Sequence, residues 1–319
     1  MEPRYDIQIM VQVAQMYYCD DFTQEQIAKQ IGISRSSISM ILSEAREFGI
    51  VEIQVKNPQV NNDELSKKFK SVFGVAKCFV VPTSITNVKV LTKIVATQGA
   101  FIAEKELKSH ITLGVAWGST CYECMGAFRN ISNLYDIKVV PLIGGTNRIS
   151  SEYQLNEMVR ILAEKVQGTP SFIYAPALAE SIDDKEHYMK SIYMKEILKS
   201  WANLDIGIVS VGAPPEYYNS KTTFDPYMMK PEFEKHPERS VGDICARRFN
   251  IHGEFLNNDY NNRVMGIGEQ DLRNAKEIIC IASGNHKVLS ILGALRTKTI
   301  GMFITDENTA RNVLDIAST

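Results

Sequence analysis

Residues 23 to 49, TQEQIAKQIGISRSSISMILSEAREFG, constrain the fold of this chain more than any other stretch. Thr23 and Gln26 have the spacing of a capping box, which begins a helix, and Gly32 is placed to end it. Ser34 then caps a second helix, in which one side is apolar at residues 38, 41, 42, 45 and 48. Two short helices joined by a tight glycine turn predict a helix-turn-helix.

The other side of the second helix carries small polar and basic side chains. Serine and arginine donate hydrogen bonds to phosphates and base edges in a major groove, and a methionine suits a thymine methyl group. Serine is a poor helix former, so five serines in one short helix favour DNA reading over an ordinary helical hairpin with a polar outer face. The residues predicted to contact DNA are Ser34, Arg35, Ser36, Ser37, Ser39, Met40, Ser43 and Arg46.

The charge of this region opposes tight binding by one copy. Residues 1–60 hold five basic and eight acidic side chains, which is unusual for a protein that binds duplex DNA. Useful affinity would then need several copies on one assembly, because after one head binds, the next binds at a high effective concentration.

Two further features set the domain boundary. An apolar stripe at residues 7, 11, 14, 17 and 18 predicts a first helix that packs under the other two. After Gly49, the alternating residues 50–55 predict a strand, residues 58–62 a linker, and Asp63 the cap of a further helix. The sequence therefore predicts a DNA-binding head, residues 1–56, and a second domain, residues 57–319, called the body here.

The length of 319 residues suits two domains, and 45% apolar residues with a net charge of −2 describe an ordinary globular protein. No apolar run approaches the about 18 residues that a membrane-spanning helix needs. The N-terminus also lacks a basic-then-apolar signal, so we expect a cytoplasmic protein without a membrane partner.

Short β-rich segments alternate with helical patterns throughout the body, which predicts an α/β fold with a parallel sheet covered on both faces. The predicted strands are residues 78–81, 111–116, 137–143, 172–176, 204–212, 277–282 and 299–304. Residues 219–240 are polar, aromatic and charged, which suggests a flap or an insert that contacts a partner.

Several of these strands end in glycine beside a hydroxyl or amide group. Parallel sheets bind ligands at the carboxyl ends of their strands, and glycine lets the backbone approach an anion. We therefore predict a site for a small phosphorylated molecule at this edge, called the crest here. Its strand ends contain Gly118, Ser119 and Thr120, Gly144, Gly145 and Thr146, Gly212, and residues 283–287.

Other side chains are candidates for the same site. Lys287 follows a strand closely enough for its ammonium group to fold over a phosphate, and Asp243 suits sugar hydroxyls. Asn156, Arg160 and the pair at 247–248 are also placed to face the crest. For each, the alternative is a solvated polar residue on the surface.

Other chemistry has little support in the sequence. Cys121 and Cys124 form one C-x-x-C without a second pair, and the five histidines lack a zinc spacing, so we predict no redox or metal site. There is no nucleophile elbow and no Walker loop, so no catalytic residue or cofactor is predicted.

The motifs TQEQIAKQIGISRSSISMIL and AREFGIVEI resemble the head of the SorC family of bacterial sugar-responsive transcription regulators. LGVAWGST, VVPLIGG, VGDICARRF, IASGNHK and FITDENTA, in that order, are similar to its sugar-binding body, nearest to the deoxyribonucleoside and sorbitol branches. The resemblance implies a Rossmann-like, non-catalytic relative of the sugar-phosphate isomerases and deaminases. It places the effector phosphate at Gly118, Ser119, Thr120, Gly144 and Gly145, with Lys287 and Asp243 in the same site. Ile143 stands where some relatives carry a basic residue.

The leading hypothesis is therefore a regulator of a carbohydrate-utilisation operon. By the resemblance, it binds double-stranded operator DNA as a dimer or tetramer and responds to a phosphorylated sugar or sugar alcohol. The alternatives are a sugar-phosphate isomerase or deaminase on the same scaffold, which leaves the head unexplained, and a scaffold that binds protein instead of DNA.

Overall fold

In the computed structural model, the residues described are 3–51, 61–146, 154–214 and 240–318. The chain divides into two compact units, Met1–Pro58 and Gln59–Thr319, a division two residues from the boundary expected from sequence. Among the described residues, no helix is long and apolar enough to cross a membrane.

The head contains three helices: α1 (Ile7–Tyr18), α2 (Gln24–Ile31) and α3 (Arg35–Glu47). The predicted capping box is present, since Thr23 Oγ1 accepts from the backbone N–H of Gln26 and Gln26 Oε1 accepts from that of Thr23. Gly32 ends α2 in the left-handed conformation with φ of 82°, which glycine adopts without strain. The predicted helix-turn-helix is therefore confirmed.

The core of the head differs from the predicted stripes at four positions. Ile7 is 57% exposed, Val11 45% and Tyr18 37%, and Phe48, which caps α3, is 40% exposed. Apolar residues lie all around α1, so the sequence pattern allowed more than one buried face. The side chains that are buried are Met10, Val13, Ala14, Met16, Ile27, Ala28, Ile38, Ile41, Leu42 and Ala45.

The predicted linker is partly wrong. The backbone N–H of Val80 donates to Asn61 Oδ1 at 2.7 Å, and that of Asn62 donates to the carbonyl of Val80 at 2.9 Å. Asn62, and not Asp63, caps the following helix. Ile50 and Val51 lie outside any strand, and the rest of the strand predicted at 50–55 falls outside the described residues.

The body is an α/β fold around one parallel sheet of seven strands, as predicted. Their order is β1-β9-β8-β5-β2-β3-β4, and the strands β6 and β7 form a separate antiparallel hairpin. The strands are β1 Lys77–Val81, β2 Ile111–Val115, β3 Ile137–Pro141, β4 Thr169–Pro170, β5 Ile206–Val209, β6 Gly242–Ile244, β7 Arg247–Phe249, β8 Glu277–Ile281 and β9 Met302–Asp306.

Helices cover the sheet between these strands. They are α4 Asp63–Phe73, α5 Val88–Glu104, α6 Ser119–Ala127, α7 Leu155–Lys165, α8 Ile182–Lys190, α9 Ile192–Ala202, α10 Asp259–Arg263, α11 Glu269–Asn274, α12 Val288–Arg296 and α13 Glu307–Ala317. A 3₁₀ turn, Asn285–Lys287, leads into α12.

Two predicted features of the body need correction. The segment 172–176 is not a strand, because only Pro176 makes an isolated bridge, to Gly145, while β4 ends at Pro170. The hairpin β6–β7 was not anticipated, although its residues were recognised as a motif. The flap expected at 219–240 lies almost wholly outside the described residues.

The order of the strands reverses beside β2. β3 and β4 are added on one side of β2, whereas β5, β8 and β9 are added on the other. After the adjacent strands β2 and β5, the chain continues in opposite directions, which opens a crevice at their carboxyl ends. Parallel sheets bind ligands in such a crevice. The crest predicted from sequence therefore lies at this reversal.

Candidate functional sites

The outward face of α3 keeps most of the predicted DNA contacts in solvent. Arg35, Ser36, Ser39, Met40 and Arg46 are exposed. Opposite them, the buried side chains of α3 pack into the core of the head, so the helix presents a fixed face. That face carries two guanidinium groups and short hydroxyls, which fits a major groove.

Three predicted serines have a local structural role. Ser34 Oγ accepts from the backbone N–H of Ser37 at 3.1 Å, which caps α3. The same oxygen lies 2.7 Å from the hydroxyl of Ser36 and 2.8 Å from that of Ser37. Ser37 and Ser43 are half-buried. Ser34, Ser36 and Ser37 therefore stabilise the start of the helix, whereas Ser39 presents an exposed hydroxyl farther along it.

Two glycines on the crest have nearly the same unusual backbone conformation. Gly118 follows β2 with φ of 112° and ψ of 158°, and Gly284 follows β8 with φ of 100° and ψ of 140°. Only glycine adopts this region without strain. Each glycine directly precedes a helical segment, so both strands turn sharply and aim the start of that segment at the crest.

The start of α6 is suited to an anion. The first backbone N–H groups of a helix, here from Ser119 onward, have no intrahelical partner. No described side chain caps those of α6. The space beside Gly118 is open to 4 Å. Ser119 is exposed, and Thr120 is buried. Free N–H groups at a helix N-terminus attract phosphate, which agrees with the role predicted for these three residues.

The glycine pair after β3 does not offer the same donors. The N–H of Gly144 donates to the carbonyl of Met265 at 2.8 Å, and that of Gly145 donates to the carbonyl of Ala175 at 2.9 Å. A side chain at Gly144 would meet the carbonyl oxygen of Pro176 at 2.2 Å. Gly144 is therefore required for close packing of the chain, whereas a side chain at Gly145 would meet nothing within 4 Å. Binding of the effector phosphate by this pair stays a prediction.

Lys287 and Asp243 lie close enough to interact electrostatically. Asp243 is on β6, and its backbone carbonyl accepts from the N–H of Gly212, at the end of β5, at 3.0 Å. This bond fixes the hairpin at the point where the strand order reverses. The structure thus brings together two residues that are 44 positions apart in the sequence.

Burial lowers the pKa of Lys287 below its ordinary value, and the nearby acidic groups Asp243, Cys121 and Cys280 oppose this shift. Desolvation makes the ammonium form less stable, and an anion bound beside it would offset part of that loss in free energy. Lys287 is therefore suited to pair with a phosphate.

The other polar candidates are engaged elsewhere. The amide of Asn156 exchanges two hydrogen bonds with the backbone of Ile173, so it braces that loop and does not present a free amide to the crest. Arg160 pairs with glutamates of its own helix, α7. Arg247 donates to the carbonyls of Gly266 and Ile267.

A brace from α13 holds the loop of Gly284, which was not anticipated from the sequence. The N–H of Gly284 donates to Thr309 Oγ1 at 2.8 Å and to Asp306 Oδ2 at 3.3 Å, and both side chains are buried. Farther along the loop, Asn285 Oδ1 accepts from Asn308 and Asn312. Asp306 followed by Thr309 has the spacing of a helix cap, which was the available signal.

The C-x-x-C is structural. Cys121 and Cys124 are fully buried, and burial raises the pKa of the Cys121 thiol to about 12 and that of Cys124 well above its ordinary value. Thiols react as thiolates, so these two are inert. Within the described residues, no group of three or more histidine, cysteine or acidic side chains is arranged to hold a metal ion.

Comparison with known families covers both units. The Sugar-bind family, a sugar-binding domain, matches residues 57–315. The profile of Sigma-70 region 4 matches residues 10–47, which include all three helices of the head apart from the start of α1.

Similar proteins of known role match over almost the full chain. The deoxyribonucleoside regulator of Bacillus subtilis is 28% identical and the sorbitol operon regulator of Klebsiella pneumoniae is 29% identical; the matches cover 97% and 98% of this chain and 97% and 100% of theirs. The crystal structure of the full-length Klebsiella regulator superposes with a TM-score of 0.77 at 28% identity, covering 97% of this chain and 99% of that one.

The brace predicts the effect of removing the hydroxyl of Thr309. Thr309→Val keeps the volume but leaves the buried N–H of Gly284 with one long hydrogen bond. We expect the free energy of unfolding to fall by about 1–3 kcal/mol and amide hydrogen exchange at Gly284 to accelerate. Urea unfolding and hydrogen exchange measure these effects.

Thr309→Ser is the matched control, because it keeps the hydroxyl, and it should protect Gly284 as the native residue does. Equal protection of Gly284 in the valine variant would show that the brace is unimportant.

Proposed function

The chain belongs to the SorC family of bacterial sugar-responsive transcription regulators, and from this premise we propose how its two sites work together. In this proposal, α3 binds double-stranded operator DNA of a carbohydrate-utilisation operon. The crest binds a phosphorylated sugar or sugar alcohol, and two or four copies act as one assembly.

The exposed face of α3 supports DNA recognition. Its arginines and short polar side chains are held outward by a packed helix-turn-helix, the arrangement that places one helix in a major groove. The excess of acidic residues in this region limits the affinity of one head, so the proposal requires at least two copies on adjacent half-sites.

The observation that carries the proposed effector site is that Lys287 lies close enough to Asp243 and to Cys121, in the first turn of α6, to interact electrostatically with both. The start of α6 has no side-chain cap and follows β2, where the strand order reverses. Backbone N–H groups and an ammonium group suit a phosphate, whereas a carboxylate suits sugar hydroxyls. One ligand that carries a phosphate and sugar hydroxyls would interact with all of these protein groups.

Regulation then follows from differential binding. A phosphosugar that binds one arrangement of the assembly more tightly shifts the population toward it. The spacing between the heads changes with that arrangement, and the affinity for two fixed half-sites changes with the spacing.

The enzyme reading receives no support. The similar proteins are transcription regulators, so the chain is a regulator and not an isomerase or deaminase.

Replacing Arg35 tests the DNA face. We expect Arg35→Ala to weaken binding to the DNA upstream of the protein's own operon by about 1–3 kcal/mol, because one charged contact is lost. Fluorescence anisotropy at fixed salt concentration measures this. Arg160→Ala removes the same charge from α7 of the body and should have little effect. Unchanged DNA binding in Arg35→Ala would show that Arg35 does not contact the DNA.

Replacing Lys287 tests the crest. A thermal-shift screen of phosphorylated pentoses, hexoses and hexitols first identifies a stabilising ligand. We then expect Lys287→Met to weaken that ligand's binding by roughly tenfold or more, since a charge-assisted hydrogen bond is lost, and to leave DNA binding without ligand intact.

The binding should also depend on pH. Because the pKa of Lys287 is lowered, its ammonium form is lost at a lower pH than that of an exposed lysine, so affinity should fall as the pH rises. Titration calorimetry across pH measures this, with Lys108→Met as an exposed control. If Lys287→Met keeps both the affinity and its pH dependence, Lys287 does not contact the phosphate.

A further inference from the structure

A second concave surface lies outside the crest, between α8, the start of α9 and the loop at residues 174–175. The cavity is about 480 Å³ and is called the tyrosine groove here. Its lining includes Tyr174, Tyr188 and Tyr193, the apolar Met194, and the polar side chains of Asp184 and His187.

The groove is surrounded by large apolar side chains that face solvent. Tyr174 and Ile192 are each 79% exposed, and Tyr193 is 78% exposed. Ile182 and Tyr188 are also exposed. Single exposed apolar residues are ordinary, but a cluster of five that rims a concave surface is typical of a contact with another molecule.

The helix α8 packs shallowly on the body. None of its nine residues, all of them described, is buried; Met189 is half-buried against the core, and Lys185 Nζ donates to the carbonyl of Asn262 at 2.8 Å. Short helices are marginal in water and depend on packing of one face, so a helix with no buried side chain needs further contacts. The end cap by Ser181, which accepts from the N–H of Asp184, supplies only part of this stabilisation.

The charges on α8 identify the occupant. Its first turn carries Asp183 and Asp184, and its last turn carries His187 and Lys190. If a second α8 lies antiparallel to it, the acidic turn of each helix faces the basic turn of the other. A two-fold interface uses the same patch on both copies, so such a patch must contain its own complement.

We propose that the tyrosine groove and α8 form an isologous interface with a second copy of this chain. The two α8 helices run antiparallel across the two-fold axis, and Ile192 and Tyr193 of each copy pack against the groove of the other. The inference rests on the proposed function, in which the heads act in pairs, and it names the surface that pairs the bodies.

Charging the apolar rim tests the interface. Sedimentation velocity of the full chain, without DNA or sugar, compares the native protein with Ile192→Glu and Tyr193→Asp. We expect the native protein to be at least dimeric, and each variant to raise the dimer Kd roughly thirtyfold or more, the effect of losing one interface hot spot. Circular dichroism and thermal unfolding should stay native, because both side chains are largely exposed.

Tyr135→Asp is the matched control, since Tyr135 is an exposed tyrosine of the body that does not line the groove, and it should associate as the native chain does. A native chain that stays monomeric, or rim variants that keep the native mass, would overturn the proposal. Rim variants that keep the native mass leave the proposed function intact, because the copies then pair through another surface, whereas a native chain that stays monomeric would also overturn the paired action of the heads. The tests with Arg35→Ala and Lys287→Met are read separately, so the two failures are distinguishable.

An exchange of charges tests the antiparallel arrangement. Asp183→Lys and Lys190→Glu each place like charges across the two-fold axis and should weaken association, whereas the double variant should restore it. Restoration supports the antiparallel pairing, because a general loss of folding would not be repaired by a second charge change. A double variant that associates no better than the single ones would overturn this pairing.

Discussion

The pairing of β2 with β5 is the constraint on which the body depends. Both strands are parallel and adjacent, yet the chain continues from them toward opposite edges of the sheet. Their carboxyl ends are therefore not covered by a common connection, and the chain brings Gly118, Gly212 and Asp243 to one crevice. The glycine conformations after β2 and β8, the hairpin at β5 and the brace from α13 all act to shape this edge.

Local rules predicted the elements that local chemistry determines. The capping box at Thr23, the stop at Gly32 and the cap at Ser34 are each fixed by residues within one turn, and each appears in the structure. The strand predicted at 172–176 failed because the backbone of this segment contacts the glycine pair after β3: the carbonyl of Ala175 accepts from Gly145, and that of Pro176 lies beside Gly144. Composition alone does not distinguish such a loop from a strand.

The residues of the crest also divide into those fixed by local chemistry and those fixed by tertiary contacts. At Gly118 the space beside the glycine is open, whereas at Gly144 the glycine is required by the close approach of Pro176. The sequence does not separate an open anion site from a close backbone approach, since both favour a residue without a Cβ atom. Lys287 and Asp243 were selected by chemical type and placed in one site by the family resemblance, and the fold brings them close enough to interact electrostatically. The brace by Asp306 and Thr309 combines a helix cap with a long-range bond, and the second part has no sequence signature.

The crest and the tyrosine groove share one segment of backbone, which bears on how a ligand signal reaches the assembly. Gly145, at the end of β3, donates to the carbonyl of Ala175 and accepts from the N–H of Ala177. Ala175 lines the groove beside Tyr174. Any movement of the chain at Gly145 must therefore carry this segment with it or break both bonds. Because packed segments shift as units and do not stretch, a small closure at the crest would alter the surface that Tyr174 presents. A coupling of this kind needs no long pathway through the core, since one pair of hydrogen bonds links Gly145 to the segment that lines the groove.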